Sequence, residues 1–362
     1  MESNTELKNL ISLFEINGSP VSLEKYGNGH INDTYLLVTE KDGKRTRYIF
    51  QGINGNVFKN PGQIMENIEK VTAFLSKKNN TGKVMTLVPT VNGGFYYKDE
   101  NGKFWRMYDF IENSVCLDRV DNVNDFYECA VAFGNFQRDL ADFPADTLYE
   151  TIPDFHNTEK RYNDFLNSVS NNASNRAQNA EAEIEFVKSR ADFCPLLFDA
   201  HKKGDLPLKV THNDTKSNNV MLDAKTHKAL CVIDLDTIMP GFSVTDFGDA
   251  VRFGASTAAE DEPDLDKVNF SLELYNAYLN GFLEGCGGML SNEEIMLLPE
   301  GAKMMTLECG MRFLTDYIDG DTYFKTAYPE HNLVRARTQF KLVSEMENVW
   351  DELKALSKKH CK

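Results

Sequence analysis

No apolar run in this 362-residue sequence approaches the roughly 18 residues that a membrane-spanning helix needs. The N-terminal stretch also lacks the basic end and apolar block of a signal peptide, because it reads Met-Glu-Ser-Asn-Thr-Glu and continues as a polar, helix-like segment. Both absences predict a cytoplasmic protein. A hydrophobic content of 41% is enough for sizeable cores, so a globular chain is expected.

The sequence also lacks a cysteine pattern. Its 7 cysteines are scattered and odd in number, and no two of them form Cys-x-x-Cys. A disulfide framework needs paired cysteines and a zinc site needs clustered ligands, and the 7 histidines show no metal-ligand spacing either. Reduced, mostly buried thiols are therefore predicted.

Positive charge is in short supply. The formal net charge is −16 and the isoelectric point is about 5.0. Nucleic acids and anionic membrane surfaces demand a basic face, so neither is an expected partner. A nucleotide such as ATP needs only a few local cations and a magnesium ion, so the acidic balance leaves ATP open. No obligate protein partner is inferred.

Strand and helix signals divide the chain unevenly. Before residue 111 most segments read as strands joined by Gly-containing turns, and after about residue 122 long helical patterns dominate. Residues 84–89 read as a strand, and residues 293–318 and 332–357 each read as one long helix. The sequence thus predicts an α+β fold with a β-rich N-terminal lobe (1–111) and a mostly helical C-terminal lobe (112–362), a layout that suits a nucleotide clamped between lobes.

The most informative stretch lies within residues 210–252. His212, Asp214 and Asn219 fit the pattern His-x-Asp-x-x-x-x-Asn of kinase catalytic loops, and Asp234 follows at the end of an apolar strand. Phosphoryl transfer needs one carboxylate for the acceptor hydroxyl, and an amide with a second carboxylate for magnesium. Asp214 is therefore the predicted catalytic base, and Asn219 and Asp234 are the predicted magnesium ligands. The alternative for Asp214, a carboxylate that only caps a turn, is disfavoured by the full pattern.

Three charged residues near this pattern have two interpretations each. Lys216 neutralises the transferring phosphate, or it is an exposed loop lysine. Asp236 adds a second carboxylate to the metal site, or it is a solvated or capping residue. The tripeptide Asp246-Phe-Gly spells a protein-kinase magnesium motif but precedes a helical run. It is instead predicted to cap that helix and to brace the catalytic loop through backbone N–H groups.

Nucleotide contacts are predicted at two places. Gly27-Asn28-Gly29-His30 is a candidate phosphate-covering turn, because Gly27 and Gly29 allow close backbone approach, although Asn-Gly is also an ordinary hairpin turn. Adenine is expected to contact backbone groups between Asp109 and Glu112.

One expected residue is missing. Kinases place a phosphate-binding lysine on the third strand, paired with a helix glutamate, but this sequence has Gln51 there. Glu69 on the next helix has no obvious partner. The candidates to replace the lysine are Lys44, Arg45, Arg47 and Lys59.

The catalytic stretch resembles the aminoglycoside phosphotransferase and choline kinase superfamily, with an Ile-Asp-x-Asp strand end and a short link to a Gly…Asp segment. Over nearly its whole length the chain resembles the bacterial N-acetylhexosamine 1-kinases more closely. The matching stretches are Tyr26-Gly-Asn-Gly-His-Ile-Asn32, Val210-Thr-His-Asn-Asp-Thr-Lys216, Ile233-Asp-Leu-Asp-Thr-Ile-Met-Pro-Gly241, Arg252-Phe-Gly-Ala-Ser-Thr257, Glu308-Cys-Gly-Met-Arg-Phe-Leu314 and Tyr328-Pro-Glu-His-Asn-Leu-Val-Arg335.

The resemblance implies a protein-kinase-like fold, ATP as donor, and transfer to the anomeric hydroxyl of N-acetylglucosamine or N-acetylgalactosamine. The sugar contacts carried over to matching positions are His30, Asp214, Asp234, Phe253, Arg312 and Tyr323. From pattern alone, Arg312 reads as an i,i+4 partner of Glu308 or Asp316, and Phe253 reads as a core residue.

Two other functions compete with a sugar 1-kinase. A kinase for another small hydroxyl acceptor (an aminoglycoside, choline or an amino alcohol) would have an acidic acceptor pocket. A pseudokinase that only binds is suggested by Gln51, but it would have lost a residue of the catalytic pattern. A protein kinase is disfavoured, because the stretch from Asp236 to Asp246 is too short for an activation segment and a peptide platform.

Overall fold

The computed structural model describes residues 4–27, 31–78, 83–120 and 122–362 of the chain. A sheet of five strands and two helices form its N-terminal part. The strands are β1 (Ser19–Lys25), β2 (Asp33–Lys41), β3 (Lys44–Ile53), β4 (Tyr97–Lys98) and β5 (Phe104–Asp109), and the helices are α1 (Asn4–Ile11) and α2 (Pro61–Lys77). The strand order is β1-β2-β3-β5-β4, and each neighbouring pair is antiparallel.

Alternating side chains give this sheet two different faces. On one face Phe50 stacks on Trp105 with ring centroids 4.8 Å apart, in a core that α1 closes. The opposite face carries Gln51 and Arg106, which lie directly across from each other on β3 and β5. This second face is turned toward the helical region, since Arg106 reaches Asp236 there.

Helices dominate the rest of the chain. They are α3 (Val123–Asp139), α4 (Thr158–Asn171), α5 (Glu181–Lys188), α6 (Leu196–Lys203), α7 (Ser243–Gly254), α8 (Leu272–Cys286), α9 (Asn292–Met296), α10 (Leu298–Asp319), α11 (His331–Asn348) and α12 (Trp350–Lys358). Short strands lie before and between these helices: β6 (Ser114–Cys116) precedes α3, and β7 (Lys209–Thr211), β8 (Val220–Asp223), β9 (Ala229–Val232) and β10 (Met239–Gly241) lie between α6 and α7. Strands β6, β8 and β9 form one small sheet and β7 pairs with β10. The predicted catalytic residues lie in the loop between β7 and β8.

Helices α7 and α10 approach each other at backbone distance. A Cβ atom at Gly248 would overlap the carbonyl of Gly301, and a Cβ atom at Gly301 would overlap the carbonyl of Val244. Only glycine fits at these two crossing points. The contact fixes α7, which supports the catalytic loop, against α10, which carries Arg312.

The predicted α+β architecture, with strands before helices, is confirmed, and some element boundaries are wrong. Residues 84–89 form no strand, because only a single bridge joins Leu87 to Tyr108. The pattern at 293–318 is two helices, since Pro299 in the first turn of α10 cannot continue α9. The pattern at 332–357 breaks at Val349 between α11 and α12. The lobe boundary at residues 111 and 112 stays a prediction.

None of the helices described is both long enough and apolar enough to cross a bilayer. The cysteines of the described ranges are free thiols, and Cys129, Cys194, Cys231 and Cys286 are buried.

Candidate active site

The catalytic-loop pattern folds as one connected unit. The ring of His212 is buried, with Nε2 2.8 Å from the carbonyl oxygen of Ile233 and Nδ1 3.3 Å from the backbone nitrogen of Asp214. Because a carbonyl only accepts and a backbone N–H only donates, His212 carries its proton on Nε2. The ring therefore ties the loop to the strand end that precedes Asp234.

Asp246 holds the same loop from α7. Its carboxylate accepts the backbone N–H groups of His212 and Asn213 at 2.9 and 2.8 Å, and the side-chain amide of Gln137 at 2.7 Å. The predicted brace is thus confirmed. The predicted helix cap is wrong, because Phe242 is the N-cap residue of α7 and no side chain caps that end.

Asp214 and Lys216 lie side by side, with Nζ of Lys216 2.9 Å from Oδ1 of Asp214. The negative charge of Asp214, and further away that of Asp249, raises the pKa of Lys216 against the effect of burial. Asp249 accepts the backbone N–H of Thr215 at 2.9 Å and pairs with Arg252 at 3.1 Å. Lys216 is therefore part of a charge network around the catalytic loop, which favours the first of its two interpretations.

Asn219 and Asp234 present oxygen atoms beside Asp214. Nδ2 of Asn219 donates to the backbone carbonyl and the carboxylate of Asp214 at 2.8 and 3.1 Å, which leaves its Oδ1 available to a ligand. Loss of hydration to the surrounding protein, together with the negative charges of Asp236 and Asp214, raises the pKa of Asp234 to about 6. A divalent cation would offset this surplus of negative charge.

These residues fit a magnesium ion. The described part of the chain contains no group of three His, Cys, Asp or Glu side chains suited to a metal. An amide oxygen and one carboxylate are instead a small set of hard oxygen donors. Mg²⁺ takes such sets when phosphate and water complete its shell.

β3 carries Gln51 where a lysine is expected, and the neighbouring strand β5 carries a cation, Arg106. Gln51 occupies the lysine position, and its Oε1 accepts from Nε and Nη2 of Arg106 at 3.1 and 3.0 Å. Arg106 is 1% exposed and pairs with Asp236, whose other oxygen accepts from Asn32 at 2.7 Å. Burial opposes the charge of Arg106, but Asp236 outweighs it and raises the pKa of Arg106 above its ordinary value. Both oxygens of Asp236 are thus bound by side chains of the N-terminal part, so they are not open to a metal.

The four predicted replacements for the lysine lie elsewhere. Two of them are exposed and the other two are paired with surface glutamates. The exposed residues are Lys44 and Lys59, and the pairs are Arg45–Glu40 and Arg47–Glu112. Glu69 is exposed on α2 and does not approach Gln51.

The phosphate-covering turn is described only at its start. Gly27 has a φ of 75°, a left-handed conformation that favours glycine. Gly29 and His30 lie outside the described residues, so the predictions for them stay predictions.

The adenine segment follows β5. The backbone N–H groups of Asp109 and Phe110 donate to the carbonyls of Thr86 and Arg47. Within the described ranges, the N–H groups of Ile111 and Glu112 make no backbone hydrogen bond, so they are open to a purine. The carboxylate of Glu112 pairs with Arg47 and its carbonyl accepts from Nζ of Lys83 at 3.1 Å, which leaves the backbone N–H of Glu112 for a ligand.

Arg312 projects from α10 among aromatic rings. Its guanidinium carbon lies 5.9 Å from the ring centroids of Phe155 and Tyr323, and 5.5 Å from that of Phe324. The i,i+4 interpretation of Arg312 is wrong, because both nearby carboxylates have other partners. They are Glu308, which accepts from Thr158 and contacts His156, and Asp316, which accepts the backbone N–H groups of residues 322–324.

The hydrogen bonds that Asp316 accepts fix the position of Tyr323. The bonds from the backbone nitrogens of Tyr323 and Phe324 to Asp316 are 2.8 and 2.9 Å long. They hold the loop after α10 so that the Tyr323 side chain, 69% exposed, stands beside Arg312.

His156 joins the acceptor side to the catalytic loop. Its Nδ1 lies 3.0 Å from the carboxylate of Glu308 and its Nε2 lies 3.2 Å from the carbonyl of Asn213. Both ring nitrogens therefore face acceptors, which suits the doubly protonated ring. Burial opposes that charge, but the hydrogen bond and charge of Glu308 prevail and raise the pKa of His156.

A second arginine lies beside Arg312. Nη2 of Arg161 donates to the carbonyl of Phe155 at 3.3 Å, and its Nε is buried without a hydrogen-bond partner among the described residues. Burial, and then the positive charge of Arg312, lower the pKa of Arg161. Neither arginine forms an ion pair within the described ranges, so both charges are open to a ligand.

Phe253, predicted to stack on a sugar, lines a cavity of about 190 Å³. Arg252, Glu260 and Gln339 lie in the same wall. Phe253 is half-buried, so the alternative of an ordinary core residue is disfavoured.

Sequence reasoning missed Arg106, His156 and Gln339. Arg106 had a signal, because a charged residue inside the apolar strand Phe-Trp-Arg-Met-Tyr needs a buried partner. His156 and Gln339 carry no local motif, and only their tertiary contacts distinguish them.

This fold and catalytic loop together define a protein-kinase-like phosphotransferase. The profile of the phosphotransferase enzyme family (APH) matches residues 22–279, more than half of the chain. The chain belongs to that family.

Several solved structures share its fold. The microcompartment-associated aminopropanol kinase is 16% identical with a TM-score of 0.64, and the match covers 97% of this chain and 99% of that one. Choline kinase from Cryptosporidium parvum Iowa II is 12% identical with a TM-score of 0.62, over 97% of both chains. Spectinomycin phosphotransferase, solved with ADP and spectinomycin, is 11% identical with a TM-score of 0.58, over 97% of this chain and 99% of that one. The predicted protein-kinase-like fold is confirmed.

Proposed function

We propose that the protein is an ATP-dependent anomeric kinase that phosphorylates O1 of N-acetylhexosamines. Its acceptor is N-acetylglucosamine or N-acetylgalactosamine, and its product is the hexosamine 1-phosphate. The observation that carries the proposal is the acceptor side of the site, where Arg312 and Arg161 lie among aromatic rings and form no ion pair with another described residue.

Two arginines that form no ion pair with a described residue favour a neutral acceptor over a cationic one. A choline, amino alcohol or aminoglycoside carries a positive charge, and like charges repel most strongly where little water screens them. A sugar offers hydroxyl and carbonyl oxygens that arginine N–H groups can bind, and an apolar ring face that Tyr323 or Phe253 can cover. The nearby carboxylates do not reverse this balance, since Glu308 faces His156 and Asp249 is paired with Arg252.

A kinase for another small hydroxyl acceptor is the alternative. The aminopropanol and choline kinases with the same fold act, by their names, on cationic amino alcohols. The fold is shared by kinases of such acceptors, so the sugar proposal rests on the arginines of this chain.

The reaction is a direct transfer. Asp214 orients the O1 hydroxyl and accepts its proton while the bond from O1 to the γ-phosphorus forms and the bond to the β-phosphate oxygen breaks, releasing ADP. Lys216, 2.9 Å from Asp214, neutralises the moving phosphoryl group. Asn219 and Asp234 would hold Mg²⁺, and the bound ion would supply positive charge against the phosphates.

The nucleotide is held mainly by residues 1–111. Gly27 and Gly29 cover the phosphates, and the backbone between Asp109 and Glu112 binds adenine. The ADP in the spectinomycin phosphotransferase structure supports an adenine nucleotide as donor. Arg106 takes the place of the lysine as the cation on this face of the sheet, because it lies directly across the ladder from Gln51, and it acts on the site by holding Asp236 rather than by contacting a phosphate.

The test is ADP release with Mg-ATP across N-acetylglucosamine, N-acetylgalactosamine, glucose, galactose, choline and kanamycin. Phosphorus NMR then locates the new phosphate. We expect turnover of the N-acetylhexosamines with an anomeric phosphate. Turnover confined to choline or kanamycin would refute the sugar assignment and leave the kinase assignment standing.

A further inference from the structure

The cavity beside Phe253 contains a polar group that the fold does not use. The side chain of Gln339 on α11 is 3% exposed and lines the cavity, and its Oε1 has no hydrogen-bond partner among the described residues. The oxygen and nitrogen of a carboxamide can exchange places by a half-turn. In either orientation, neither end of this amide forms a hydrogen bond with another residue of the described chain. An amide that the fold leaves without a partner keeps its hydrogen-bonding groups for a ligand.

The cavity lies beside residues that support the catalytic loop. Its wall includes Arg252, which pairs with Asp249, and Asp249 holds the backbone of Thr215 in the catalytic loop. Gln339 packs against Gly310, since a Cβ at Gly310 would lie 2.9 Å from the Cβ of Gln339. Gly310 lies on α10, so the cavity borders both the support of the catalytic loop and the helix that carries the proposed sugar ligand Arg312.

The cavity suits a small neutral group. Two arginines lie in its wall. The charge of Arg252 is matched by Asp249 and by Glu260, whose carboxylate lies 2.8 Å from Nη1 of Arg252, and Nη2 of Arg119 donates to the carbonyl of Thr257 at 3.1 Å. Apolar atoms of Val120, Ala258 and Phe253 form another part of the lining. At about 190 Å³, the space exceeds many times the roughly 10–15 Å³ that a single water needs.

We infer that this cavity receives the N-acyl group of the acceptor and that the carboxamide of Gln339 recognises its amide. The inference rests on the proposed function and names the residue that selects an N-acylated sugar over the parent hexose. An acylamino group offers an N–H for Oε1 of Gln339 and a methyl group for the apolar lining. A hydroxyl at the same position leaves the cavity unfilled, and a free amine, protonated at neutral pH, finds no unmatched carboxylate there.

The experiment compares Gln339→Met with the wild type. Methionine has a similar length and volume but no amide. The quantity measured is kcat/KM with Mg-ATP for an N-acetylhexosamine, divided by kcat/KM for the hexose of the same configuration. We expect this ratio to fall roughly 10- to 100-fold, as for loss of a buried specific hydrogen bond, because the hexose has no acylamino group to lose contact with Gln339. Saturation-transfer NMR on the N-acetyl methyl group, recorded without ATP, should show the same loss of contact.

Thermal unfolding separates this role from a structural one. Replacing an unpaired amide by an apolar side chain should leave the melting temperature of Gln339→Met unchanged or higher. The matched control is Gln137→Met, because Gln137 is 2% exposed but paired with Asp246 and Ser243, so its melting temperature should fall. Ala258→Leu, which fills the cavity from another side, should lower the same selectivity ratio.

The outcomes are distinguishable. An unchanged ratio in Gln339→Met and Ala258→Leu, or an equal loss for both sugars, would overturn the inference and leave the proposed function standing. A wild-type enzyme that neither binds nor phosphorylates any N-acetylhexosamine would overturn both.

Discussion

The two sides of the active site treat positive charge in opposite ways. On the nucleotide side, Arg106 is buried between Gln51 and Asp236, and its charge is matched inside the protein. On the acceptor side, Arg312 and Arg161 contact rings and a backbone carbonyl, and no carboxylate of the described chain pairs with them.

This difference separates two uses of arginine. A buried, paired arginine links two parts of the fold, and breaking the pair leaves a carboxylate without a partner in the interior. An unpaired arginine does little for the fold and keeps its N–H groups for a ligand. Substitutions should therefore change stability on the nucleotide side and substrate recognition on the acceptor side.

The largest effect is expected where both sides meet, at Asp214. Asp214→Asn keeps the shape of the side chain but cannot accept the proton of O1. We expect turnover to fall by about 10²- to 10⁴-fold, the usual contribution of a positioned base. The melting temperature and Mg-ADP binding should match the wild type. Turnover near the wild-type rate would disprove the assignment of Asp214 as the base.

Arg106→Met removes the paired arginine of the nucleotide side. We expect a loss of about 3–5 kcal/mol in the free energy of unfolding, because Asp236 stays buried without its partner, together with weaker Mg-ATP binding. Urea denaturation and calorimetric titration measure the two effects. The double variant Gln51→Lys with Arg106→Met returns a cation to the opposite strand and should recover most of the binding. No recovery in a folded double variant would refute the exchange of the lysine for Arg106.

Arg312→Met tests the acceptor side, where the arginine forms no ion pair with a described residue. The KM for the N-acetylhexosamine should rise roughly 10- to 100-fold, the equivalent of a charged hydrogen bond. The KM for Mg-ATP and the melting temperature should stay unchanged, since no ion pair within the described ranges is lost. Arg337→Met is the control, because Arg337 pairs with Glu183 away from the site and should leave both KM values alone. A large loss of stability in Arg312→Met would contradict the comparison.

The smallest effect concerns pH. Glu308 raises the pKa of His156 above its ordinary value of 6.5, despite burial, so the folded state holds this proton more tightly than the unfolded state does. The stability that the pair provides is therefore complete below pH 6.5 and is lost as the pH rises through the raised pKa. Melting temperatures recorded from about pH 6 to 9 should decline more steeply for the wild type than for His156→Gln. Parallel curves would show that the pair is not coupled to folding.

The parts of the site that lie close together in the sequence could be predicted. His212, Asp214 and Asn219 share one loop, and a short hairpin brings Asp234 back beside them, so spacing alone indicates the chemistry. Of the two roles predicted for Asp246, the brace of the catalytic loop is confirmed, since a brace needs only a carboxylate that accepts backbone N–H groups. A helix cap depends on the exact residue at which α7 begins, which spacing does not reveal.

The remaining contacts could not be predicted because they depend on distant segments. Gln51 and Arg106 are 55 residues apart, and His156 and Glu308 are 152 apart. Periodicity places Arg312 on the same helix face as Glu308, but it cannot show that His156 and Thr158 occupy that carboxylate first. Apolar spacing also cannot show where a helix is interrupted. It continues past Pro299, although one continuous helix cannot run through this proline.

The glycine crossing of α7 and α10 restricts how acceptor preference can evolve. Neither helix can shift toward the other or gain a Cβ at Gly248 or Gly301 without overlap of backbone atoms. The backbone contact between α7 and α10 therefore fixes the spacing between the catalytic loop and Arg312. New acceptors must be accommodated by the loops at 255–271 and 320–330. A mutant library built in those loops should yield many folded enzymes with altered preference, whereas one built at the two glycines should yield few folded proteins.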